Sequence, residues 1–398
     1  MKILLISWYY PPSNCARAIQ IGRVVAAIEA LGCTVKVIAK FRNGARPSLG
    51  GKSLVSRAIR RAISELEASG PQVGWVAEAT RLGRKAITEF RPDILLSSSE
   101  FFSSHLAGLK LAHEFKIPWV ASFSDPWPPA SRPEPYSRAQ APFLAGAQIR
   151  AVESVLEAAT AIHVPTRYTW EAIQTIVRSP VGSKYAVIPH VGVPGSLTNG
   201  HSDQNGNSAE FRGWLIHAGR LTRERVSEEL LLAVRDLHDQ HSSDFRGLMC
   251  IGDVCPEFLD AIGKCAAEKA VQLLGSISPP RALDAIGRAG ALLLIEAKMP
   301  YSPFLPSKFP DYVCSNRPIL AVTPTRGAIS DYLQSQACGL AVSHDRNEIA
   351  GGLRRLLTRG PGDEGTNSLA EAFSPQRIGT QYMDLFAHIR QTSSSVIS

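Results

Sequence analysis

The chain has 398 residues, of which 44% are apolar and 20% charged, a composition typical of folded globular proteins rather than disordered or fibrous ones. This length predicts two domains. No apolar run reaches the roughly 18–20 residues that span a bilayer, and the opening MKILLISWYYPP meets prolines too soon for a secretory signal. We therefore expect a cytoplasmic protein.

The net charge indicates the kind of partner, and the cysteine pattern indicates whether a metal site or disulfide framework is expected. A net charge of +8 predicts an anionic partner, which can be a nucleotide, an acidic lipid surface or a nucleic acid. Aromatic residues are few and do not alternate with basic ones, so we expect no nucleic acid. The seven cysteines form no CxxC pair, which favours reduced core thiols over a metal or disulfide framework.

Short apolar runs alternate with longer helix-like segments along the chain, a pattern typical of parallel sheets covered by helices on both faces. In the first half a helix is predicted over about 16–31. The strands predicted there are Lys2–Ser7, Thr34–Ala39, Asp93–Ser97, Pro118–Phe123, Ala161–Val164 and Tyr185–Pro189.

A Gly-, Ser- and Asn-rich stretch over 195–211 predicts a linker. Beyond it the predicted strands are Trp214–His217, Gly247–Ile251, Val271–Leu274, Ala291–Glu296 and Ile319–Val322. The pattern predicts two doubly wound α/β domains, 1–200 and 212–375, that face a central cleft. A final helix over about 376–398 could pack back on the first domain.

Ligands of open parallel sheets bind beyond the carboxyl ends of the strands, so the segments that follow the strands are the candidate site. In the first half these segments are Ser7–Arg17, Ser98–His105 and Asp125–Trp127; in the second they are Gly219–Arg225, Leu274–Ser276, Glu296 and 301–321. Basic residues collect in the second set, as Arg220, Arg225 and Lys308. Cations near helix starts predict a diphosphate site.

Six motifs then occur in the order that one enzyme family shows: YYPP, SFSDPW, VIPHVGVP, IHAGRL with Arg225 five residues after Arg220, LLGSISPPRALDAIGRAGALLLI and PSKFPDYVCSNRPILA. On these motifs the chain resembles a GT-B glycosyltransferase of the retaining family 4 type over nearly its whole length. The resemblance implies a metal-independent transferase, without a cofactor, that retains the sugar configuration. Its donor would be a UDP-, GDP- or ADP-type sugar and its acceptor a glycan, glycolipid or other glycoconjugate, in polysaccharide or lipopolysaccharide biosynthesis.

The resemblance also assigns residues. Asp125, Arg220 and Lys308 would be catalytic. The two cations would stabilise the charge that develops on a leaving diphosphate, and Asp125 would position the acceptor hydroxyl or contact the donor sugar. The donor-binding set would be Arg220, Arg225, Leu274, Gly275, Glu296, Ser307, Lys308 and Asp311. The acceptor-binding set would be Ser13, Asn14, Arg17 and His105.

Three departures from the family pattern keep other functions open. The first loop, Ser13–Arg17, lacks the family's double glycine, His190 replaces an asparagine, and Pro303 stands where the first of two carboxylates is expected. One alternative is a nucleotide-sugar epimerase of the same fold. The other is a non-catalytic binder of nucleotide sugars, derived from a transferase.

Residues 52–63 form a basic amphipathic pattern, with Arg57, Arg60 and Arg61 beside an apolar helical face. Such a helix would suit peripheral contact with an anionic inner membrane leaflet. An ordinary surface helix explains the pattern equally well.

Overall fold

The computed structural model describes residues 1–41, 74–137, 142–178, 184–193, 210–241, 245–334, 338–357 and 366–395. They form two compact units. Unit 1 comprises the described residues within Met1–Arg132, Ser137–Val191 and Pro375–Ser398, and unit 2 those within Pro133–Tyr136 and Gly192–Ser374. The basic segment 52–63 and residues 195–209 of the predicted linker lie outside the described residues.

Unit 1 is built on a six-stranded parallel sheet with the order β2-β1-β3-β4-β5-β6. Its strands are β1 (Lys2–Tyr9), β2 (Thr34–Phe41), β3 (Ile94–Ser98), β4 (Trp119–Ser122), β5 (Ala161–Val164) and β6 (Tyr185–Val187). The central runs are buried because helices cover both faces of the sheet, which is why they are apolar throughout. The register pairs Ser7 with Ser98 and Ser98 with Ser122, so three strands present serines at one edge.

Side chains cap the first turns of some helices of unit 1. Cys15 Sγ accepts a hydrogen bond from the Ala18 N–H, and the Thr166 hydroxyl accepts one from the Thr169 N–H. The helices are α1 (Ala16–Ala30), α2 (Trp75–Phe90), α3 (Ser103–Phe115), α4 (Pro142–Ala158), α5 (Arg167–Gln174) and, at the end of the chain, α13 (Pro375–Ser395).

Helix α13 packs on α1 through a stripe of residues spaced at helical intervals. Its side chains Ile378, Tyr382, Phe386 and Ile389 share one buried cluster with Ile21, Val24 and Ile28 of α1. Gly379 allows the close approach, because a Cβ there would lie 3.0 Å from the Ala27 carbonyl oxygen. The last helix is therefore part of the core of unit 1.

Unit 2 has a second six-stranded parallel sheet, with the order β12-β11-β10-β7-β8-β9. Its strands are β7 (Trp214–Ala218), β8 (Gly247–Ile251), β9 (Val271–Gly275), β10 (Ala291–Ile295), β11 (Ile319–Val322) and β12 (Gly339–Val342). Its helices are α6 (Glu228–His241), α7 (Pro256–Lys264), α8 (Pro279–Arg288), α9 (Phe309–Cys314), α10 (Ala328–Gln334), α11 (Arg346–Leu357) and α12 (Thr366–Ala372).

The structure confirms the predicted fold class of two doubly wound α/β domains, and every predicted strand is present. One strand, β12, was not predicted. It is a four-residue edge strand that begins with a glycine and is mostly only half-buried, so it lacks a sustained apolar run. Among the described helices, none combines the length and apolarity that crossing a membrane requires.

The packing of α13 gives a first prediction. Phe386→Ala should reduce the free energy of unfolding of unit 1 by about 3–5 kcal/mol, because Phe386 is fully buried and its removal leaves a cavity. For a unit of this size the thermal midpoint should fall by roughly 10 °C. Asp384→Ala, at an exposed position of the same helix, is the control. Equal midpoints for both variants would show that α13 is not part of the core.

Candidate functional site

In unit 2 the ammonium of Lys308 is held by a neutral imidazole. Lys308 lies directly before α9, and its Nζ donates to Nε2 of His217 at 3.0 Å. His217 is fully buried on β7, and its Nδ1 lies 3.1 Å from the carbonyl oxygen of Leu293 on β10. Because a carbonyl can only accept, the imidazole proton sits on Nδ1. Nε2 therefore offers its lone pair to the lysine.

The end of β7 is shaped to receive this lysine. A Cβ at Gly219 would lie 2.7 Å from Lys308 Nζ, and Gly219 has a φ of +127°, a conformation that side chains disfavour. One residue earlier, the Ala218 N–H donates to the hydroxyl of Tyr312 at 2.8 Å. Tyr312 belongs to α9, so this bond ties the helix that follows Lys308 to the strand end.

Among the described residues, no negatively charged side chain contacts Lys308. Burial, and after it the positive charge of Arg225, hold the pKa of Lys308 well below its ordinary value. Burial, and after it the Lys308 charge, likewise hold the pKa of His217 well below its usual range. Within the described ranges neither Lys308 nor Arg225 forms an ion pair with a carboxylate. Two neighbouring cations without such a partner favour an anionic ligand.

Glu296, at the end of β10, is a buried carboxylate whose oxygens are both engaged. Oε1 accepts from the Ser302 hydroxyl and Oε2 from the Thr323 hydroxyl, each at 2.6 Å. Burial raises the pKa of Glu296, while the two hydroxyls and then Arg225 act in the opposite direction. The carboxylate thus anchors the segment between β10 and Lys308.

The remaining predicted donor residues lie around the same strand ends. Arg220 follows β7 and is exposed, and the structure shows no contact between it and Lys308. Asp311, in the first turn of α9, accepts a hydrogen bond from the Val193 N–H at 3.0 Å. Leu274 and Gly275 end β9. Ser307 precedes Lys308 and is half-buried.

In unit 1 the predicted acceptor residue Arg17 is held by serine hydroxyls. Its Nε donates to Ser98 Oγ at 3.1 Å, its Nη2 donates to the same hydroxyl, and Nη2 also lies 3.4 Å from Ser122 Oγ. Ser122 in turn donates to Nδ1 of His163 at 2.7 Å, while Nε2 of His163 donates to the Ile188 carbonyl at 2.8 Å. Burial lowers the pKa of His163 to about 4. The arginine thus rests on a neutral hydrogen-bonded chain.

Acidic groups balance Arg17 in part. Burial lowers the pKa of its guanidinium, and the nearby side chains of Tyr382, Asp125 and Glu100 oppose that shift. The predicted catalytic Asp125 is half-buried, and its Oδ2 accepts from the Ser124 hydroxyl at 2.9 Å.

His105 is a fully buried residue on α3. Its Nδ1 lies 2.8 Å from Ser97 Oγ, and that hydroxyl already accepts from Trp119 Nε1 at 2.8 Å. Nδ1 and the Ser97 hydroxyl share a hydrogen bond, while Nε2 has no partner among the described residues. Burial lowers the pKa of His105 to about 3. The other acceptor candidates lie in the loop before α1, Ser13 half-buried and Asn14 exposed.

Sequence reasoning missed the residues that support these side chains. Ser98 lies in the candidate segment Ser98–His105, but its contact with Arg17, and the parts that Ser122 and His163 play beneath it, were not predicted. Nothing in the sequence indicated the contact of His217 with Lys308, because 91 residues separate them.

Known proteins resemble this chain in part of its sequence and in its fold. Residues 18–190 match the family described as "Glycosyl transferase 4-like domain". Over these residues the chain is similar to a glycosyl transferase 4-like domain. The match and the solved structures below confirm the resemblance to family 4-like GT-B glycosyltransferases. No curated protein matches the chain in sequence.

Solved structures that resemble the chain show the GT-B fold. Sucrose-phosphate synthase (tll1590) from Thermosynechococcus elongatus has a TM-score of 0.71 at 15% identity, over 98% of this chain and 100% of that one. Anabaena Alr3699/HepE in complex with UDP has a TM-score of 0.58 at 16% identity, over 100% and 99%. UDP-GlcNAc 2-epimerase from Methanocaldococcus jannaschii has a TM-score of 0.56 at 10% identity, over 98% of this chain and 100% of that one.

The environment of Lys308 predicts a pH dependence of stability. The pKa of Lys308 is lower in the folded protein than in the unfolded chain, where lysine titrates near about 10.4. Between the two pKa values the unfolded state binds more protons, so the Lys308 contribution to the free energy of unfolding rises with pH. Lys308→Met should remove this rise. Urea unfolding at pH 7, 8, 9 and 10 measures it as the difference between wild type and variant.

Lys298→Met is the matched control, because it also removes one lysine charge but at an exposed position after β10. This control should keep the wild-type pH dependence. Parallel pH curves for wild type and Lys308→Met would show that the Lys308 pKa is unaffected by folding.

Proposed function

We propose that the protein is a retaining, metal-independent glycosyltransferase that moves a sugar from a nucleotide-diphosphate sugar to a glycan, glycolipid or other glycoconjugate. The observation that carries the proposal is the pair Lys308 and Arg225, two cations near each other at the strand ends of unit 2 without an ion-pair partner among the described residues. A diphosphate supplies the charge that this arrangement favours. The glycosyl transferase 4-like domain over 18–190 supports transfer of a sugar.

The chemical role of the two cations follows from the reaction. When the bond between sugar and diphosphate breaks, negative charge grows on the leaving diphosphate oxygen. Lys308 and Arg225 would stabilise that charge, and because Lys308 is partly desolvated its effect is larger than in water. Side chains thus supply positive charge that a metal ion supplies in other transferases. Arg220, on the exposed side of the same loop, could assist only by extending toward the ligand.

UDP is the first nucleotide to test, because one protein with a similar fold has been solved in complex with UDP. On the acceptor side, Arg17, His105 and Asp125 of unit 1 are the proposed contacts, with the loop residues Ser13 and Asn14. A role in polysaccharide or lipopolysaccharide synthesis, and peripheral membrane contact through 52–63, are part of the same proposal and rest on the sequence.

An epimerase is the second candidate, since a UDP-GlcNAc 2-epimerase shares the fold over nearly the whole chain. Such an enzyme would convert a nucleotide sugar without an acceptor. A transferase would release free sugar slowly from its donor and transfer the sugar only when an acceptor is present. A non-catalytic binder would do neither. Product analysis of UDP-sugars incubated with and without glycan acceptors separates the three functions.

Nucleotide binding tests the proposed donor site directly. UDP, GDP or ADP should raise the thermal midpoint of the protein, because a ligand that binds only the folded state stabilises it. Lys308→Ala and Arg225→Ala should each weaken binding of that nucleotide by about 10- to 100-fold, which corresponds to the loss of a charge-assisted hydrogen bond. Calorimetric titration with the same nucleotide measures the loss.

Lys298→Ala serves as the control for removal of a lysine from the same domain, and its affinity should equal that of wild type. If no nucleotide stabilises the wild-type protein, the donor site is not where we place it. If Lys308→Ala binds normally while the wild type also binds, another residue holds the diphosphate.

A further inference from the structure

Arg225 has a contact that could not be predicted from the sequence. The short segment Pro133–Tyr136 packs as part of unit 2, although the chain on either side of it belongs to unit 1. Through this segment the hydroxyl of Tyr136 accepts a hydrogen bond from Arg225 Nε at 3.4 Å. The residues are 89 positions apart in the chain.

The ring of Tyr136 has a second and separate contact. It packs edge to face against Phe304, with 5.2 Å between ring centroids and an interplanar angle of 79°. Phe304 is fixed in turn, because its N–H lies 3.3 Å from Ser302 Oγ and Ser302 donates to the buried Glu296. The aromatic pair therefore stands on the anchored segment that leads to Lys308.

This arrangement leaves the binding face of Arg225 available. A guanidinium has five N–H donors in a rigid plane, and Tyr136 occupies the one on Nε. Among the described residues the two terminal amino groups of Arg225 form neither a hydrogen bond nor an ion pair. A neutral phenol also leaves the positive charge of the arginine intact, whereas a carboxylate at that point would cancel it.

We propose that Tyr136 is a positioning residue of the anion site: its hydroxyl orients Arg225 so that the terminal amino groups face a ligand diphosphate, and its ring is seated on Phe304. The inference rests on the proposed function, since the diphosphate is that of the nucleotide sugar. It adds Tyr136 to that site, a residue that lies outside the long continuous stretch of unit 2, Gly192–Ser374. The ring and the hydroxyl have distinct roles, so they can be tested separately.

A double-mutant cycle with calorimetric titration of UDP tests the inference. Tyr136→Phe keeps the ring contact with Phe304 and should weaken UDP binding by about 2- to 10-fold, which is the range for one hydrogen bond. Arg225→Ala should weaken it more. In the Arg225→Ala background, Tyr136→Phe should have no further effect, because the hydroxyl acts only through the arginine. Tyr185→Phe, which removes a half-exposed phenol of unit 1, is the control and should bind as wild type.

The nitrogen signal of the Arg225 side chain gives a readout without a nucleotide. In an NMR spectrum of ¹⁵N-arginine-labelled protein, the Arg225 Nε–H signal is identified by its absence from Arg225→Lys. It should shift, and exchange faster with water, in Tyr136→Phe. A purely packing role of Tyr136 would leave this signal unchanged.

The outcomes separate this inference from the proposed function. Wild-type protein that binds none of UDP, GDP, ADP and inorganic pyrophosphate would overturn both. Binding of any of these ligands, with the Tyr136→Phe loss equally large in the presence and absence of Arg225, would overturn the role of Tyr136 alone. Binding with no effect of Tyr136→Phe would overturn it as well.

Discussion

The hydrogen bond between the Lys308 ammonium and Nε2 of His217 is the constraint around which the site of unit 2 is built. A partly desolvated lysine needs a hydrogen-bond acceptor, and a carboxylate would be the usual one, but it would also cancel the charge. A neutral imidazole satisfies the donor and leaves the charge in place. The Leu293 carbonyl fixes the tautomer that makes this bond possible, and Gly219 leaves the space that the ammonium occupies. The cost is a destabilised cation, which an anionic ligand would relieve.

Arg17 in unit 1 shows a similar solution with a different acceptor. Serine hydroxyls at the ends of β3 and β4 accept hydrogen bonds from its guanidinium, and His163 accepts a hydrogen bond from the Ser122 hydroxyl. Here, however, Asp125 and Glu100 lie near enough to stabilise the cation. The electrostatic drive toward an anion is therefore weaker at Arg17 than at Lys308. Arg17 is better suited to polar groups that are neutral or singly charged, in keeping with an acceptor-side role.

The fold could be predicted from the sequence because buried parallel strands are apolar along their whole length, whereas the half-exposed β12 lacks that signal. Lys308 could be predicted for a different reason, because its motif PSKFPDYVCSNRPILA is one continuous stretch of sequence. The partners of these residues could not be predicted. The contact of Lys308 with His217 depends on which strands are neighbours, and that of Arg225 depends on a four-residue segment joining unit 2. Arg220 was also predicted from a motif, yet it is exposed, because a motif fixes position along the chain and not side-chain burial.

The proline at position 303 changes what the site can recognise. Glu296 is not free to replace the missing carboxylate, since hydroxyls of Ser302 and Thr323 engage both of its oxygens. Its charge is used inside the protein, where it holds the segment that carries Phe304 and leads to Lys308. A site with one carboxylate fewer is more positive, which favours the diphosphate, but it has fewer strong acceptors for sugar hydroxyls. If the site binds a nucleotide sugar, as we propose, discrimination between donor sugars would depend on shape, on main-chain groups and on neutral side chains such as the aromatic pair of Phe304 and Tyr136. Such groups distinguish sugars by the fit of their apolar faces more than by the pattern of their hydroxyls.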